Sequence, residues 1–547
     1  MGVQNANSQT WEWARWVGMP IGTEGFYCAT DANGNVYGSG NHWGAMHFGT
    51  ITVPGAGAYI VKYNSVGDVK WAISTNSIPS TSGSFGMITD IFGNEYLLGI
   101  HDTTLTFGSF TITNPGTHNN YYFLSKIDSS GNVKWLKNLG NLATNFVSNG
   151  SNCITSDELG NIYITCSFTN SPTIGGYTIT NRGMIDVFVG KFDSSGNVIW
   201  AKGYGCGSTG GANTSGIAVT PSHKIYVTGY FNSDSLYFGG NFLVDTSSTH
   251  TYNTGYLAKL DSNGNPIWAR GTGGSNGGDD FTGVVTDSNE NVFFTGSYFG
   301  SILHFGTFSL PYPPNGSYGF LAKYDSTGSA AWVKLMQGNF ILPWMPALDP
   351  CGNIWIISTM STGRMTTNDT IDGHILAPPL INGDPNFIAC WSKTGTFLTA
   401  SPISSGSSDD PNGISIDKCG NIYVIADKEN CDTLIIANDS FITVGGEGMF
   451  IAKYNPNFGC SHCGYPELEK SPDQSIPIDI YPNPTKSNLT ISTSMNITSI
   501  TISSIVGQIV YSKNFNSNVV QVDIPDLPMG IYIIKVNDIL KRKFIKE

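Results

Sequence analysis

Charged residues are scarce in this chain of 547 residues, and basic residues are scarcer than acidic ones. Asp, Glu, Lys and Arg make up 12% of the sequence, about half the roughly 25% of an average globular protein. Exposed helix faces normally carry Glu, Lys and Arg, so we expect almost no helix. The net charge of −13 argues against a nucleic-acid partner, because binding phosphates requires a basic surface.

Long apolar runs are also missing. No stretch approaches the roughly 18 to 20 apolar residues that a membrane-spanning helix requires, so no transmembrane segment is predicted. The first residues, MGVQNANSQTWEW, lack the basic and apolar segments of a signal peptide.

Motifs for metal or phosphate chemistry are absent too. The sequence has no His-Glu-x-x-His motif and no phosphate-binding loop. Cys460 and Cys463 form a Cys-x-x-Cys pair without a second pair, which favours a local disulfide or loop clip over zinc. We predict no metal site and no cofactor, and nothing here gives positive support for an enzyme.

Glycine and aromatic residues are abundant instead. The chain has 66 glycines and 12% aromatic residues, a composition that suits short strands and tight turns. The stretch from Gly255 to Gly271, GYLAKLDSNGNPIWARG, recurs along the chain, and each copy predicts two strands joined by a turn of Asp, Ser, Gly and Asn. The tryptophan of each copy is interpreted as structural. These tryptophans are Trp71, Trp135, Trp200, Trp268 and Trp332.

A second motif, an Asp-x-x-Gly-Asn turn followed by an apolar strand, precedes each hairpin. Its seven copies place their aromatic residues 59 to 68 residues apart. Four antiparallel strands repeated seven times predict an all-β fold, a seven-bladed β-propeller. The aromatic residues are Tyr37, Tyr96, Tyr163, Tyr226, Phe293, Trp355 and Tyr423.

The ends of the repeat region predict how the ring closes. The last repeat supplies Met449 to Asn457 and then stops without its tryptophan strand, whereas Trp11 to Gly18 reads as a strand without a partner. We predict that the two pair, with the N-terminal strand outermost. The domain prediction is a propeller over residues 11–458, a linker over residues 459–477 rich in Pro, Ser and charge, and a small antiparallel β-sandwich over residues 478–547.

The C-terminal region carries a specific set of motifs. They are Tyr481, Pro482, Asn483 and Pro484, then Gly507, then Gly530 and Tyr532, and the basic residues Lys541 and Lys543. In order and spacing this region resembles the type A C-terminal sorting domain of the type IX secretion system. The resemblance implies export by that machinery from a gram-negative bacterium, to the medium or the outer cell surface. Cargo of this kind also carries an N-terminal signal, so the resemblance implies a trimmed start. The repeats resemble, more loosely, the SBBP β-propeller repeats of secreted bacterial proteins.

Candidate site residues follow from the repeat. Counting seven residues back from each turn Asp, or its equivalent, gives positions at the entrance of each inner strand, and four of them are predicted to bind a ligand. Two belong to acidic pairs, Asp279-Asp280 and Asp409-Asp410, which fit either cation or acid–base chemistry or hydrogen bonds to loop backbone. His42 and His101 occupy an aromatic position, which favours packing. The ligand-binding candidates are Glu24, Asn213, Asp280 and Asp410; Gly83, Gly150 and Leu342 hold the remaining positions.

Three functions remain open from the sequence. The leading hypothesis is a non-catalytic binding or adhesion module for a glycan or a surface protein, which uses the long connections between the second and third strands because variable loops on a rigid frame carry function. An extracellular polysaccharide hydrolase or lyase with a site at the channel is the first alternative. A surface scaffold without a small ligand is the second.

Overall fold

The computed structural model consists of strands and turns, and its described residues contain no helix. Contacts divide the chain into two units, Met1–Cys463 and Gly464–Glu547. The predicted linker, residues 459–477, lies outside the described part. The structure describes residues 10–18, 22–75, 83–101, 103–114, 121–140, 142, 153–207, 210–245, 252–272, 277–314, 316–338, 341–360, 370–375, 386–403, 409–428, 433–436, 439–442, 448–456, 478–483, 485–504, 509–528, 530–537 and 540–546.

Seven antiparallel sheets, each with four strands in the order A-B-C-D, form the frame of the described part of the first unit. In the third and fifth of them a small hairpin also pairs with strand D and extends the sheet to six strands. Sheet 1 is Thr23–Thr30, Val36–His42, Gly57–Tyr63 and Val69–Ser74; sheet 2 is Gly83–Thr89, Glu95–His101, Tyr121–Ile127 and Val133–Gly140. Sheet 3 is Ile154–Ser156, Ile162–Phe168, Asp186–Phe192 and Val198–Cys206; sheet 4 is Ala212–Val219, Ile225–Phe231, Thr254–Leu260 and Pro266–Gly271. Sheet 5 is Asp279–Thr286, Val292–Tyr298, Tyr318–Tyr324 and Ala330–Gln337; sheet 6 is Ile341–Leu348, Ile354–Met360, Asn386–Trp391 and Phe397–Pro402. Sheet 7 is Asp409–Ile416, Ile422–Lys428, Gly448–Asn455 and, as strand D, Thr10–Gly18.

The A strands contact one another in a cycle. Strand A of each sheet packs on strand A of the next, and strand A of sheet 7 packs on strand A of sheet 1. Glycine permits the close approach: a Cβ atom at Gly413 would lie 2.9 Å from the backbone oxygen of Phe26 in sheet 1. Polar side chains bridge successive sheets, as where Asn41 Oδ1 accepts the Ser84 N–H at 3.0 Å. The arrangement is consistent with propeller-like folds.

The Asp-x-x-Gly-Asn motif forms the A-to-B turn through its carboxylate. Asp31 Oδ1 accepts the N–H groups of Asn33 and Asn35, and Oδ2 accepts the Asn35 side chain at 2.7 Å and the Tyr37 hydroxyl at 3.0 Å. Both oxygens of a buried carboxylate are thereby satisfied, so the turn is fixed without solvent. Asp90, Asp157 and Asp417 repeat the full pattern, and Asp349 repeats it with a Trp355 N–H in place of the hydroxyl.

Four of the five repeated tryptophans join neighbouring sheets through a hydrogen bond, whereas Trp332 Nε1 has no partner among the described residues. The Nε1 of a strand D tryptophan donates to a carbonyl in the C-to-D turn of the next sheet. Because that turn lies at the same end as the A-to-B turn, all these turns share one face of the unit, called here the turn face; the B-to-C and D-to-A connections share the opposite loop face. The pairs are Trp71 with Ser129, Trp135 with Ser194, Trp200 with Ser262 and Trp268 with Ser326, at 3.0 to 3.3 Å.

The N-terminal strand completes sheet 7, so the predicted pairing is confirmed. Thr10–Gly18 runs antiparallel to Gly448–Asn455 and is the outermost strand of that sheet. Trp13 then repeats the contact of the internal tryptophans, because its Nε1 donates to Ser65 O in sheet 1 at 3.1 Å. The Arg15 guanidinium donates to Gly67 O of the same turn at 2.7 Å. Sheets 7 and 1 are therefore joined as neighbouring internal sheets are.

The long B-to-C connections, predicted from the sequence to be loops, contain small hairpins. Each hairpin packs at the outer edge against strand D of its own sheet or of the preceding one. Their tips follow a Phe-Gly pattern in sheets 1, 2, 4 and 5 because the buried Phe anchors the hairpin and the glycine has a positive φ. The hairpins are Met46–Phe48 with Ile51–Val53, Thr104–Phe107 with Phe110–Thr113, Thr173–Ile174 with Tyr177–Thr178, Ser235–Phe238 with Asn241–Val244, Leu303–Phe305 with Phe308–Leu310, Thr370–Ile371 with His374–Ile375, and Thr433–Ile436 with Asp439–Ile442.

The second unit is a five-stranded antiparallel sheet with its own apolar core. The strand Asn488–Ser504 is central, because its first half pairs with Ile478–Tyr481 and its second half with Gly530–Val536, while Ile509–Asp523 follows it along its length. The last strand, Leu540–Lys546, pairs with Gly530–Val536.

Candidate functional site

The candidate residues at the strand A entrances share one backbone position. Glu24 is opposite Asn41, and Asp280 is opposite Ser297. In the six sheets whose candidate the structure describes, the candidate is opposite the next-to-last residue of strand B, at the loop face. The other pairs are Gly83 with Ile100, Asn213 with Tyr230, Leu342 with Thr359 and Asp410 with Asp427. Gly150 and the side chain of Asp410 lie outside the described part.

The described side chains differ in their surroundings. Glu24, Asn213 and Asp280 are each partly exposed. Asn213 Oδ1 has no hydrogen-bond partner among the described residues, and the backbone oxygen of Glu24 accepts the Tyr59 hydroxyl at 3.0 Å. Asp280 is part of a larger group of polar and aromatic side chains between sheets 4 and 5, so the site is built around it.

Asp279 is the buried member of the acidic pair. Its side chain is 2% exposed. Oδ2 accepts the Gly255 N–H at 2.8 Å and the Thr272 hydroxyl, whereas Oδ1 has no partner among the described residues. Burial raises the pKa of Asp279 to about 7, and the Asp280 and Asp245 carboxylates add to the rise. Asp279 therefore ties sheet 5 to strand C of sheet 4 and is half protonated near neutral pH.

Asp280 is the accessible member. Asn253 Nδ2 donates to its Oδ1 at 2.8 Å, and Asn253 O accepts the Asp279 N–H at 3.0 Å. Burial raises the pKa of Asp280, and the Asn253 hydrogen bond opposes that rise. The partly exposed carboxylate also raises the pKa of the neighbouring Tyr230, after burial itself. A carboxylate held by one amide keeps free lone pairs for a ligand.

Two exposed aromatic rings flank the acidic pair. Tyr252 precedes Asn253 and is 41% exposed, and Phe299 follows strand B of sheet 5 and is 43% exposed. Their rings meet edge to face, with centroids 5.6 Å apart. Gly278, directly before Asp279, makes room for them, because a Cβ there would lie 2.7 Å from the Phe299 ring. The cluster of Tyr252, Asn253, Asp279, Asp280 and Phe299 is called the sheet 4–5 site.

Metal and membrane features are not found in the described residues. No group of three His, Cys, Asp or Glu side chains with the geometry of a metal site occurs in the part of the chain that the structure describes. That part also contains no helix long and apolar enough to cross a bilayer. The pair of Cys460 and Cys463 lies outside it. His42 and His101 are fully buried and pack against Tyr59 and Phe123, which matches the packing interpretation.

Replacing Asp279 with Asn tests its titration. The folded pKa lies above the ordinary value of 3.8, so the stability that this group adds is complete below about pH 4 and is lost as the pH rises through 7. The amide oxygen in Asp279→Asn can still accept the hydrogen bonds of Gly255 and Thr272, but the side chain no longer titrates. We expect the variant to gain about 4 kcal/mol on wild type between pH 4 and pH 8, measured by urea unfolding. Asp280→Asn, at the partly exposed neighbour, is the control. An equal gain in stability from Asp280→Asn would contradict the assignment of the raised pKa to Asp279.

Only Asp279 and Asp280 of this site were singled out from the sequence. Tyr252, Asn253 and Phe299 lie in two of the long B-to-C connections that were predicted to form the binding surface, but no repeat position singles these residues out. Thr272 has a counterpart in another sheet, because Thr75 holds the same position after strand D of sheet 1. There Thr75 Oγ1 accepts the Ala58 N–H within the sheet, at 3.0 Å. In sheet 4 that N–H belongs to Gly255, and Asp279 accepts it from the neighbouring sheet. This change of acceptor from a threonine to Asp279 can be recognised only when the hydrogen-bond partners are known from the structure.

The motifs of the second unit lie around its last strand. Asn483 Oδ1 accepts the Ile545 N–H at 2.9 Å. Tyr532 donates its hydroxyl to Pro528 O at 2.9 Å and stacks on Phe544, with ring centroids 5.6 Å apart. Tyr481 is 52% exposed. Pro482 is exposed as well, and Gly530 pairs with Lys546. Pro484, Gly507 and the side chains of Lys541 and Lys543 lie outside the described part.

Comparison with known proteins identifies this second unit. Residues 479–547 match the family described as "Secretion system C-terminal sorting domain". The C-terminal segment is therefore a sorting domain of the type IX secretion system, which implies interaction with that machinery. The chain is secreted or held at the outer cell surface.

The chain also has remote relatives. It is 22% identical over 487 residues to an uncharacterized WD repeat-containing protein, L264, of Acanthamoeba polyphaga mimivirus, covering 74% of this chain but only 32% of that protein. A PL25 polysaccharide lyase, an ulvan lyase bound to -[GlcA(1-4)Rha3S]-, is 12% identical; the match covers 78% of this chain and 96% of the lyase chain, with a TM-score of 0.42. The polysaccharide lyase Uly1 is 10% identical over 83% of this chain and 94% of its own, with a TM-score of 0.41. A protein of unknown function from Dyadobacter fermentans is 9% identical; the match covers 81% of this chain and 99% of that protein's chain, with a TM-score of 0.35.

Proposed function

We propose that this exported protein binds an extracellular glycan at the sheet 4–5 site and does not modify it. The observation that carries the proposal is the exposed Tyr252–Phe299 pair beside the Asp280 carboxylate and the Asn253 amide. Sugar rings have apolar faces that pack on aromatic side chains, and their hydroxyls donate to carboxylates and amides. The combination of flat apolar and accepting polar groups suits a sugar better than an apolar ligand.

The frame proposed for this site is a seven-bladed β-propeller over residues 11–458, with SBBP-like repeats as blades. The cyclic contacts of the seven A strands and the pairing of Thr10–Gly18 with sheet 7 support that proposal. For residues 478–547 we propose a small β-sandwich, because the long strand Asn488–Ser504 pairs with Ile478–Tyr481 in its first half and with Gly530–Val536 in its second. Glu24, Asn213 and Asp410 are proposed to extend the binding surface around the channel.

Glycan-array binding with matched variants tests the function. Wild-type protein is expected to bind at least one extracellular glycan, and Asp280→Ala to lower the affinity about tenfold, because a hydrogen bond to a charged group contributes about 1.5 kcal/mol or more. Tyr252→Ala is expected to lower it to a similar extent. Tyr312→Ala, which removes another exposed aromatic, is the control and should bind normally. Absence of binding to every glycan, or equal binding by all variants, would rule out the proposal.

A polysaccharide hydrolase or lyase is the second candidate, favoured by the pKa of about 7 at Asp279 beside Asp280. A carboxyl group that titrates near neutral pH suits general acid–base catalysis. Against this, Asp279 Oδ1 is buried and Oδ2 is fully used by Gly255 and Thr272. Release of reducing ends or of unsaturated sugars by wild-type protein, lost in Asp280→Ala, would favour the enzyme over the binding module.

A further inference from the structure

We infer that the sheet 4–5 site selects uncharged glycans and rejects polyanionic ones such as uronates and sulfated sugars. The inference rests on the proposed function and names the ligand class of that site. It follows from the distribution of charge around the acidic pair. Recognition of a polyanionic sugar requires cations that neutralise its carboxylates or sulfates, and the acidic pair offers charge of the same sign.

Every Lys and Arg in residues 210–338, which include sheets 4 and 5, has a partner away from the site. Lys259 binds Glu290 at 2.7 Å and Ser326 O at 3.0 Å, both at the turn face. The Arg270 guanidinium donates to Gly328 O at 3.0 Å in the turn of sheet 5. The remaining three are Lys224 beside Glu290, Lys323 on Lys393 O and Lys334 with Asp372.

The hydrogen-bonding groups at the site match an uncharged sugar. Asp280 offers accepting oxygens, and Asn253 offers an amide already oriented by its bond to Asp280. Sugar hydroxyls donate to such acceptors without introducing charge. Asp245 and Asp279 add negative potential behind Asp280. Binding of a uronate here is therefore opposed by charge repulsion and by the loss of water around its carboxylate. The rings of Tyr252 and Phe299 supply a contact that does not depend on charge.

The test compares glycans matched in length and differing in charge. Isothermal titration is carried out with cellohexaose, mannohexaose and maltohexaose, and with hexameric galacturonate, hexameric mannuronate and a heparin hexasaccharide, at physiological ionic strength. Wild-type protein is expected to bind at least one neutral hexasaccharide at least about tenfold more tightly than any anionic one. Asp280→Asn, which keeps the shape but removes the charge, is expected to narrow that ratio.

The outcomes separate the inference from the proposed function. Tighter binding of an anionic hexasaccharide, or a ratio unchanged in Asp280→Asn, would overturn the inference while glycan binding stands. Binding of no hexasaccharide, charged or neutral, would overturn the proposed function and the inference with it. Asp279→Asn serves as a second variant: its carboxyl is only partly charged near pH 7, so it should narrow the ratio less than Asp280→Asn does, and an equal or larger effect would contradict the role given to Asp280.

Discussion

Deleting residues 1–18 is expected to abolish cooperative unfolding of the Met1–Cys463 unit. The deletion removes strand D of sheet 7 and leaves Gly448–Asn455 with an unpaired edge. It also removes the buried side chains of Trp13, Ala14 and Val17 and the contacts that join sheet 7 to sheet 1. Losing a Trp side chain alone costs about 3–5 kcal/mol, and whole domains are stable by only about 5–15 kcal/mol. Thermal unfolding followed by tryptophan fluorescence and near-ultraviolet circular dichroism measures the loss.

A rearranged chain separates loss of the strand from loss of its residues. Residues 11–18 are placed after Tyr454 through a five-residue turn like residues 64–68, so that Trp11 follows Tyr454 as Val69 follows Tyr63 in sheet 1. This variant is expected to recover most of the wild-type melting temperature. Full cooperativity in the simple deletion, or no recovery in the rearranged chain, would contradict a structural role for the N-terminal strand.

Single substitutions compare the closing contact with an internal one. Trp13→Ala and Trp268→Ala remove tryptophans that are 6% and 7% exposed and that donate to equivalent turn carbonyls. Arg15 and Arg270 reinforce the two contacts in the same way. We expect the two variants to lose similar amounts of unfolding free energy, because each tryptophan joins its sheet to the C-to-D turn of the next sheet by the same contact.

The repeat made most of this frame predictable from the sequence. A pair like Asp31 and Tyr37 recurs in four of the seven sheets because one carboxylate fixes the turn through four hydrogen bonds, so its spacing reports strand boundaries directly. The pairing of Trp11 to Gly18 with sheet 7 was predictable because the last repeat lacks its tryptophan strand and this segment resembles one. These features are local or periodic, and a sequence displays both.

The site was less predictable, because its contacts are neither local nor repeated. Asn253 reaches Asp280 across 27 residues from a connection without regular spacing. The outer hairpins were missed since their strands of two to four residues are too short for a clear alternation; only the Phe-Gly pattern hinted at them. Where Asp279 replaces a contact made elsewhere by Thr75, the change is visible only in three dimensions.

Glu95→Val is expected to stabilise the protein, an unusual result for a fully buried position. Glu95 is the first residue of strand B in sheet 2 and is 0% exposed. Its Oε2 accepts the Thr89 hydroxyl at 2.8 Å, but its Oε1 has no partner among the described residues. The other six sheets carry an aliphatic residue there, each 0% exposed: Val36, Ile162, Ile225, Val292, Ile354 and Ile422. An unsatisfied buried carboxyl costs several kcal/mol, and we expect a gain of about 3 kcal/mol at pH 7.

The gain should depend on pH in a defined direction. Burial raises the pKa of Glu95 well above its ordinary value of 4.5; Asp31 and Asp90 raise it further, while Thr89 and Lys62 oppose the rise. A raised folded pKa means that the stability from this group is complete below pH 4.5 and is lost as the pH rises toward the folded pKa. The advantage of Glu95→Val over wild type should therefore grow from pH 4 to pH 8 in urea unfolding. Glu95→Gln should remove the same pH dependence with a smaller gain.

Thr89 decides whether the substitution leaves a new unpaired group. At the equivalent position Thr30 donates to Ile416 O at 3.0 Å, and Thr286 donates to Val219 O at 3.4 Å, each reaching strand A of the preceding sheet. Thr89 in Glu95→Val is expected to turn to the corresponding carbonyl of sheet 1, so no donor is lost. The reciprocal change, Val292→Glu beside Thr286, should destabilise sheet 5 by a comparable amount. A stability loss in Glu95→Val, or tolerance of Val292→Glu, would mean that the carboxyl of Glu95 stabilises the fold.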